Sequence, residues 1–211
     1  MAIDAERLKQ IELKYGGVFN APRTVHSPFD KLQCGQDRGC DRMVLQNYAD
    51  IYAQVLPDMR KPTVVEMGIF RGHGLAMWGD LYPEGDIYGL DVDPLRYENH
   101  RAELVALGAF PAGLPKVLRF DELDPESWKE LEFHLEPGSV QVWVDDAIHR
   151  TDVILDAWAR AEKFMAPRSV YIIEDNSAVP QIIQKRYEGV EGYDIVVGGN
   201  DNRVVAICKN P

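Results

Sequence analysis

VVEMGIFRGHGLAMWGDLYPEGDIYGLDVD, residues 64–93, contains two apolar strand-like runs separated by a glycine-rich segment. Gly68, Gly72 and Gly74 follow the first run, and the second run, DIYGLD, ends in Asp91. Glycine is required where a backbone turns sharply or approaches a ligand without a Cβ in the way. A helix that begins after such a loop points its free N–H groups at the bound molecule. The stretch therefore predicts a strand, a ligand-binding loop, a helix and a second strand.

Two acidic residues indicate which nucleotide-like ligand this loop holds. Asp91 ends the second run, where a carboxylate can accept hydrogen bonds from both hydroxyls of a ribose. Glu66 ends the first run, where its charge would repel a pyrophosphate but could contact a ligand without phosphates. The chain also has no Tyr-x-x-x-Lys pair for hydride chemistry. These features favour adenosylmethionine, and a nicotinamide-dependent oxidoreductase is the alternative.

The composition of the chain limits its partners and its location. The 211 residues, 45% hydrophobic and 27% charged, are typical of one globular domain. A formal net charge of −11 argues against a nucleic-acid or anionic-membrane partner, since those surfaces are polyanions. No apolar run is long enough to span a bilayer, and the first ten residues lack the apolar core of a signal peptide. Because the three scattered cysteines also indicate reduced thiols, we expect a cytoplasmic protein.

Strand-like runs and helical segments alternate from residue 63 onward. Seven runs have the composition of strands: TVVEM, DIYGLD, KVLRF, VQVWVD, VYIIED, YDIVVG and RVVAIC. Asp93-Pro94 and Asp124-Pro125 predict helix starts, because each pairs an N-cap acid with proline at the first helical position. The last two runs flank a Gly-Gly-Asn-Asp-Asn turn and so predict an antiparallel hairpin. The pattern predicts an α/β fold: a doubly wound, Rossmann-like seven-stranded sheet with an antiparallel C-terminal hairpin strand.

Helical periodicity places further helices around this sheet. TDVILDAWARAEKFMAP predicts a helix that Pro167 closes and that buries Ile154, Trp158, Ala161 and Met165. A helix is predicted at about 4–14, and a second one before Pro57 is predicted by the spacing of Val44, Tyr48, Ile51, Tyr52 and Val55. Between them, residues 16–40 are rich in Gly, Pro and polar residues and predict a long loop. We expect one compact domain, in which residues 1–60 supply helices and a substrate-covering loop and residues 61–211 form the core.

Acidic pairs end the fourth and fifth predicted strands. These residues are Asp145 and Asp146 on one strand and Glu174 and Asp175 on the next. The carboxyl ends of neighbouring parallel strands lie side by side, so the four carboxylates would crowd together and need a cation to neutralise them. Such oxygen ligands suit magnesium, calcium or manganese, and the alternative is that some of these acids only cap helices. His149, on a helical turn that would face the same pocket, is the candidate base.

Residues 41–209 resemble the class I adenosylmethionine-dependent methyltransferases. Glu66, Gly68 and Gly72 fall on the first motif of that family, with Arg71 inside it, and Asp91 falls on the ribose-binding acid. Asp121, at the end of KVLRFD, falls where the family contacts the adenine. The resemblance therefore implies that these six residues bind adenosylmethionine.

Asp-Asp-x-x-His followed by Glu-Asp on the next strand resembles a narrower group, the metal-dependent sugar O-methyltransferases that modify macrolide antibiotics. The cephalosporin-biosynthesis methyltransferase-like proteins are similar. This resemblance implies that His149 is the base, that Asp145 lies near the methionine part of the cofactor, and that Mg²⁺ or Mn²⁺ is bound by Asp146, Glu174 and Asp175. The chain departs from the group at Ala147-Ile148, where Gly-Ser is usual, and Asp175-Asn176 also resembles a pair in catechol methyltransferases.

The resemblance implies a specific activity and leaves three alternatives. We expect a divalent-metal-dependent O-methyltransferase that acts on a hydroxyl of a small-molecule sugar or natural product. This hydroxyl is expected to belong to a vicinal diol. The alternatives are a catechol-type O-methyltransferase, a nicotinamide-dependent oxidoreductase and a non-catalytic adenosylmethionine-binding protein. Enzymes of this group usually self-associate, so a homo-oligomer is expected.

Overall fold

The computed structural model describes residues 3–15 and 42–211, which form a seven-stranded sheet with helices packed on both faces. The strands are β1 (Thr63–Met67), β2 (Asp86–Asp91), β3 (Lys116–Arg119), β4 (Val140–Asp145), β5 (Met165–Ile173), β6 (Tyr193–Gly198) and β7 (Val204–Lys209). Their order is β3-β2-β1-β4-β5-β7-β6. Strands β1 to β5 are parallel, and β7 is antiparallel to both β5 and β6. The predicted doubly wound sheet with an antiparallel C-terminal hairpin is confirmed.

The described helices are α1 (Ala5–Tyr15), α2 (Ala49–Val55), α3 (His73–Leu81), α4 (Leu95–Ala106), α5 (Pro125–Leu131), α6 (Thr151–Ala161) and α7 (Val179–Arg186). The first helix agrees with its prediction, but α2 does not extend back to Val44. Asn47 has a left-handed φ of 59°, which separates α2 from a preceding turn. Glu12 of α1 holds that turn by accepting hydrogen bonds from the Met43 and Val44 N–H groups, at 2.7 and 2.8 Å. The predicted loop 16–40 lies outside the described residues.

The segment after α6 differs from its prediction. The helix ends at Ala161, a 3₁₀ turn follows over Glu162–Phe164, and Met165 begins β5. Pro167 therefore lies in a strand and does not close the helix. It can lie there because the register of β4 and β5 shifts: Val140 pairs with Met165, but Val142 pairs with Val170. Residues between these pairs leave the regular ladder, where a proline without an N–H is tolerated.

Two hydrophobic cores lie on opposite faces of the sheet. Val142 and Val144 of β4 belong to the core under α1 to α4, whereas Trp143 belongs to the core under α5 to α7. This alternation follows from the two-residue period of a strand. Trp143 packs against Trp128 and Tyr171, with ring centroids 6.2 and 5.9 Å apart. Because both faces are covered, the polar side chains at the carboxyl ends of β1, β2, β4 and β5 are left to form a site.

The two predicted helix starts have different outcomes. Asp124 caps α5: its Oδ1 accepts a hydrogen bond from the Glu126 N–H at 3.0 Å, and Pro125 is the first helical residue. Asp93 does not cap α4, which begins at Leu95 without a side-chain cap. The Asp93 N–H instead donates to Asp91 Oδ1 at 2.9 Å, which fixes a turn before the helix.

Among residues 3–15 and 42–211, no helix has both the length and the apolar composition needed to cross a bilayer.

The difference between Asp124 and Asp93 predicts unequal costs for two matched substitutions. Asp124→Ala should lower the free energy of unfolding by about 1 kcal/mol, because an N–H group of α5 loses its acceptor. Asp93→Ala should lower it by a smaller amount, since the Asp93 side chain caps no helix. Urea unfolding of the ligand-free protein, followed by circular dichroism, measures both values. Equal losses would contradict the assignment of the caps.

Candidate functional site

A pocket of about 490 Å³ opens at the carboxyl ends of β1, β2 and β4. The glycine loop after β1 forms one wall, and the segment 146–149 after β4 forms another. Of the predicted cofactor-binding residues, four line this pocket: Glu66, Gly68, Arg71 and Asp91. Gly72 does not line it but is the N-cap of α3. Asp121 and Asp145 do not line it.

The glycine loop packs closely against its neighbours, because two of its positions have no room for a side chain. Gly68 has a φ of +87°, and a Cβ there would lie 2.3 Å from the backbone oxygen of Asp146. A Cβ on Gly74, in the first turn of α3, would lie 2.0 Å from Glu66 Oε1. Gly74 thus allows the Glu66 carboxylate to lie against the start of α3.

Asp91 ties the glycine loop to β2. Its Oδ2 accepts hydrogen bonds from the Ile69 and Phe70 N–H groups, at 3.1 Å each, and its Oδ1 accepts one from Asp93. A carboxylate offers about four lone-pair sites, so Asp91 retains acceptor capacity on the pocket side. This geometry is compatible with a ribose at the carboxyl end of β2.

Glu122, which the sequence interpretation missed, lines the pocket in place of its neighbour Asp121. Asp121 is exposed, and its Oδ1 accepts from the Leu123 N–H at 3.0 Å. Glu122 is buried; its Oε1 accepts from the Ile148 N–H at 2.9 Å, and its Oε2 has no partner among the described residues. Burial raises the pKa of Glu122 to about 6. The only sequence signal was its position one residue beyond the expected acid.

Arg42 lies at the centre of the acidic cluster and was also missed. Its Nη2 donates to Glu66 Oε1 at 2.9 Å and to Asp146 Oδ2 at 3.0 Å, and its Nε donates to Glu174 Oε2 at 2.7 Å. The residue is 4% exposed. The cation that crowded carboxylates require is therefore supplied, at least in part, by the chain itself.

Two tyrosines of the α2 region bind the acids that follow β5. The Tyr52 hydroxyl donates to Glu174 Oε1, and the Tyr48 hydroxyl donates to Asp175 Oδ1 at 2.5 Å. The sequence interpretation used both tyrosines only as apolar positions of a helix. Their four-residue spacing was the available signal that both could face one site.

Asp146, His149 and Asp175 form the one group of three possible metal ligands found among residues 3–15 and 42–211. One ligand atom from each lies within 4.8 Å of the others, and His149 Nε2 is 4.0 Å from Asp146 Oδ1. Asp175 has a left-handed φ of 57°, a conformation that costs of order 1 kcal/mol outside glycine and that recurs at functional sites. Carboxylate oxygens such as those of Asp146 and Asp175 suit Mg²⁺ or Mn²⁺. These residues therefore fit a divalent ion.

The remaining predicted residues have other surroundings. Asp145 is buried below the pocket, accepts from the Tyr171 hydroxyl at 2.9 Å, and has a pKa raised to about 8 by burial. His149 reaches the pocket from a loop and not from a helical turn, since α6 begins at Thr151. Asn176 Oδ1 accepts from the N–H groups of Ala178 and Val179, and its Nδ2 donates to the His149 backbone oxygen at 3.0 Å. Asn176 thus fixes the backbone of His149.

Comparison with solved structures identifies proteins of the same fold. MycE, a methyltransferase from the mycinamycin biosynthetic pathway in complex with Mg, SAH and mycinamycin VI, aligns with 82% of this chain at 17% identity and a TM-score of 0.61. The alignment covers 51% of MycE, so this chain spans about half the length of that protein. A protein of Corynebacterium glutamicum aligns with 89% of this chain and 93% of its own, at 11% identity and a TM-score of 0.61.

Another solved structure of this fold has a different printed description. A putative rRNA methylase from Clostridium thermocellum aligns with 71% of this chain and 87% of its own, at 13% identity and a TM-score of 0.52. No protein-family model and no curated protein matches the sequence. At these identities the likeness concerns the fold: this chain has the Rossmann-like fold of class I methyltransferases, which confirms the resemblance predicted from the sequence.

The packing of the glycine loop predicts a large effect of one methyl group. Gly68→Ala should lower the free energy of unfolding by about 2 kcal/mol or more, because it combines a left-handed φ with a clash against backbone. Gly189→Ala is the matched control: Gly189 has a φ of +74° but nothing within 4 Å of its Cβ position. The control should therefore cost only the backbone strain, about 1 kcal/mol. Chemical unfolding measures the difference, and a Gly68 variant as stable as the control would contradict the geometry of the loop.

Proposed function

We propose that this protein is an adenosylmethionine-dependent methyltransferase. The observation that carries the proposal is the position of the Glu66 carboxylate against the first turn of α3, beside Gly74. The N-terminus of a helix after a glycine loop is where a dinucleotide places its pyrophosphate. A buried carboxylate at that place repels a phosphate group. A nucleoside ligand without phosphates, such as adenosylmethionine, meets no such repulsion.

The rest of the pocket offers acceptors where this cofactor has donors. Asp91 is in position to accept from the ribose hydroxyls. Glu122 Oε2, which has no partner among residues 3–15 and 42–211, is a suitable acceptor for the exocyclic amine of adenine, because a buried carboxylate oxygen gains from a donor. Asp121, Asp145 and Arg71 remain predicted cofactor-binding residues. The acidic cluster around Asp146 would lie near the cationic sulfonium.

We propose that the methyl acceptor is a hydroxyl group of a small sugar or natural product, and that this hydroxyl belongs to a vicinal diol. Asp146, Asp175 and His149 support this choice, since they combine carboxylates that fit a divalent ion with a possible proton acceptor. The likeness to a putative rRNA methylase raises RNA as a rival acceptor. A net charge of −11 counts against RNA, because binding it requires cationic side chains that neutralise phosphates.

The chemistry to be catalysed is displacement at an activated methyl group. A Mg²⁺ or Mn²⁺ ion held by Asp146 and Asp175 would supply Lewis acidity that lowers the pKa of a hydroxyl and fixes its position. His149 Nε2 accepts the hydroxyl proton as the oxygen attacks the methyl carbon opposite the carbon–sulfur bond. That bond breaks, its electron pair stays on sulfur, and SAH leaves as a neutral thioether. Arg42 holds Asp146, and Asn176 holds the His149 backbone, so both groups are oriented before the acceptor binds.

Cofactor binding gives the first test of this proposal. Calorimetry should detect SAH binding and no comparable binding of NAD, because Glu66 repels a pyrophosphate. Asp91→Ala should weaken SAH binding by about 1 to 3 kcal/mol through loss of charge-assisted bonds to the ribose. Its control is Asp124→Ala, which removes a carboxylate outside the pocket and should leave the affinity unchanged. A preference for NAD would end the methyltransferase proposal.

Turnover gives the second test. His149→Ala should lower the transfer of a labelled methyl group to a diol acceptor by about 10²- to 10⁴-fold, while SAH affinity stays close to that of the wild type. Raising the pH should partly rescue the variant, because the acceptor hydroxyl then ionises without a base. His134→Ala, which changes an exposed histidine outside the pocket, should keep the wild-type rate. Wild-type turnover in the His149 variant would make this histidine a structural residue.

A further inference from the structure

Both oxygens of the Glu174 carboxylate accept hydrogen bonds from buried protein donors. Its Oε2 accepts from Arg42 Nε at 2.7 Å, and its Oε1 accepts from the Tyr52 hydroxyl. Glu174 is 2% exposed and Tyr52 is 0% exposed, so protein encloses this carboxylate. The side chain of the neighbouring Asp175 is 25% exposed. Asp175 Oδ1 accepts from the Tyr48 hydroxyl, but of the two consecutive acids only Asp175 is exposed to a ligand that enters from solvent.

The two oxygens of Asp146 face different partners. Oδ2 accepts from Arg42 Nη2 at 3.0 Å, whereas Oδ1 lies 4.0 Å from His149 Nε2. Arg42 thus occupies one side of the carboxylate and leaves the other side toward His149 and Asp175. Outer partners of this kind orient a metal-binding carboxylate and set which of its oxygens is available.

Arg42 also determines the charge of this end of the pocket. One guanidinium donates to three carboxylates, those of Glu66, Asp146 and Glu174. Without it, three buried or half-buried anions would repel one another strongly. A divalent ion bound to Asp146 would in turn lie close to the guanidinium and be repelled by it. The guanidinium and such an ion therefore compete for the same carboxylates.

We infer that Arg42, by binding the Glu174 carboxylate, prevents it from being a metal ligand. One divalent ion then takes its carboxylate ligands from Asp146 and Asp175 and not from Glu174. The inference rests on the proposed metal-dependent function and departs from the three-carboxylate set that the sequence resemblance implied. Arg42 and Glu174 are then positioning residues. Arg42 holds Asp146, Glu174 holds Arg42, and neither contacts the ion.

Binding of Mn²⁺, followed by the electron paramagnetic resonance signal of the free ion, tests this inference without any turnover. Glu174→Gln and Asp175→Asn are a matched pair, since each removes one negative charge from adjacent residues. Both should lose affinity because a charge is lost, but Asp175→Asn should lose about tenfold more, since it also loses a ligand. The double variant Arg42→Gln/Glu174→Gln removes a buried ion pair and keeps the net charge. Its Mn²⁺ affinity should return to within about threefold of the wild type.

The outcomes separate this inference from the proposed function. It is overturned if Glu174→Gln weakens Mn²⁺ binding as much as Asp175→Asn does, or if the double variant binds no better than Glu174→Gln alone. Wild-type protein that binds no Mn²⁺ would contradict both the metal dependence and this inference. Protein that shows the expected Mn²⁺ affinities but binds no SAH would contradict the proposed function alone.

Removal of one partner of a buried pair can prevent folding, so a reserve variant is needed. Arg42→Lys/Glu174→Asp keeps both charges and should also bind Mn²⁺ nearly as the wild type does.

Discussion

The guanidinium of Arg42 joins the ends of three neighbouring strands. Through Glu66, Asp146 and Glu174 it contacts the residues at or after the ends of β1, β4 and β5. Parallel strands bring these ends to one edge of the sheet, and there their carboxylates could not stay charged without a cation. Breaking a buried ion pair by removing one partner typically costs about 3 to 5 kcal/mol. The pocket walls therefore depend on a residue that precedes the sheet in sequence.

Arg42 also separates the two functions proposed for the pocket. On one side of it, Glu66 lies against the start of α3, where its carboxylate would repel a phosphate, in line with the proposed nucleoside cofactor. On the other side, Asp146 turns its second oxygen toward His149, which suits an acceptor hydroxyl and an ion. One Nη2 atom donates to both Glu66 and Asp146, so the cofactor end and the acceptor end share a fixed point. Methyl transfer requires such a fixed distance, because the oxygen must meet the methyl carbon in line with the leaving sulfur.

Local sequence patterns predicted the sheet and the presence of the acidic cluster. The runs TVVEM and DIYGLD coincide with β1 and β2, because a buried strand is recognised from its own residues. The acids at strand ends were predicted to meet, and Asp146 and Asp175 do lie together with His149. Patterns of this kind cannot show which partner each acid takes. Arg42 is 132 positions from Glu174, and the packing of α2 against α1, β6 and β7 brings that part of the chain to the end of β5.

Smaller differences have equally local causes. Glu122 lines the pocket in place of Asp121, because Glu122 is buried and bound to the Ile148 N–H, whereas Asp121 is exposed. Pro167 resembles a helix terminator in sequence, yet a register shift between β4 and β5 allows it in a strand. Asp93-Pro94 has the same sequence as a helix start that does form, but the Asp93 N–H binds Asp91 and the helix begins later. For Pro167 and for Asp93, a contact with a strand overrides the local preference.

Crystals grown with Mn²⁺ and SAH would test the central claim most directly, through anomalous scattering at the manganese edge. The account predicts a manganese peak at coordination distance from Asp146 Oδ1 and from Asp175, with SAH along the glycine loop and its ribose at Asp91. Arg42 should remain bound to Glu174 in that crystal structure. A manganese ion coordinated by Glu174, with Arg42 displaced from the cluster, would contradict the account.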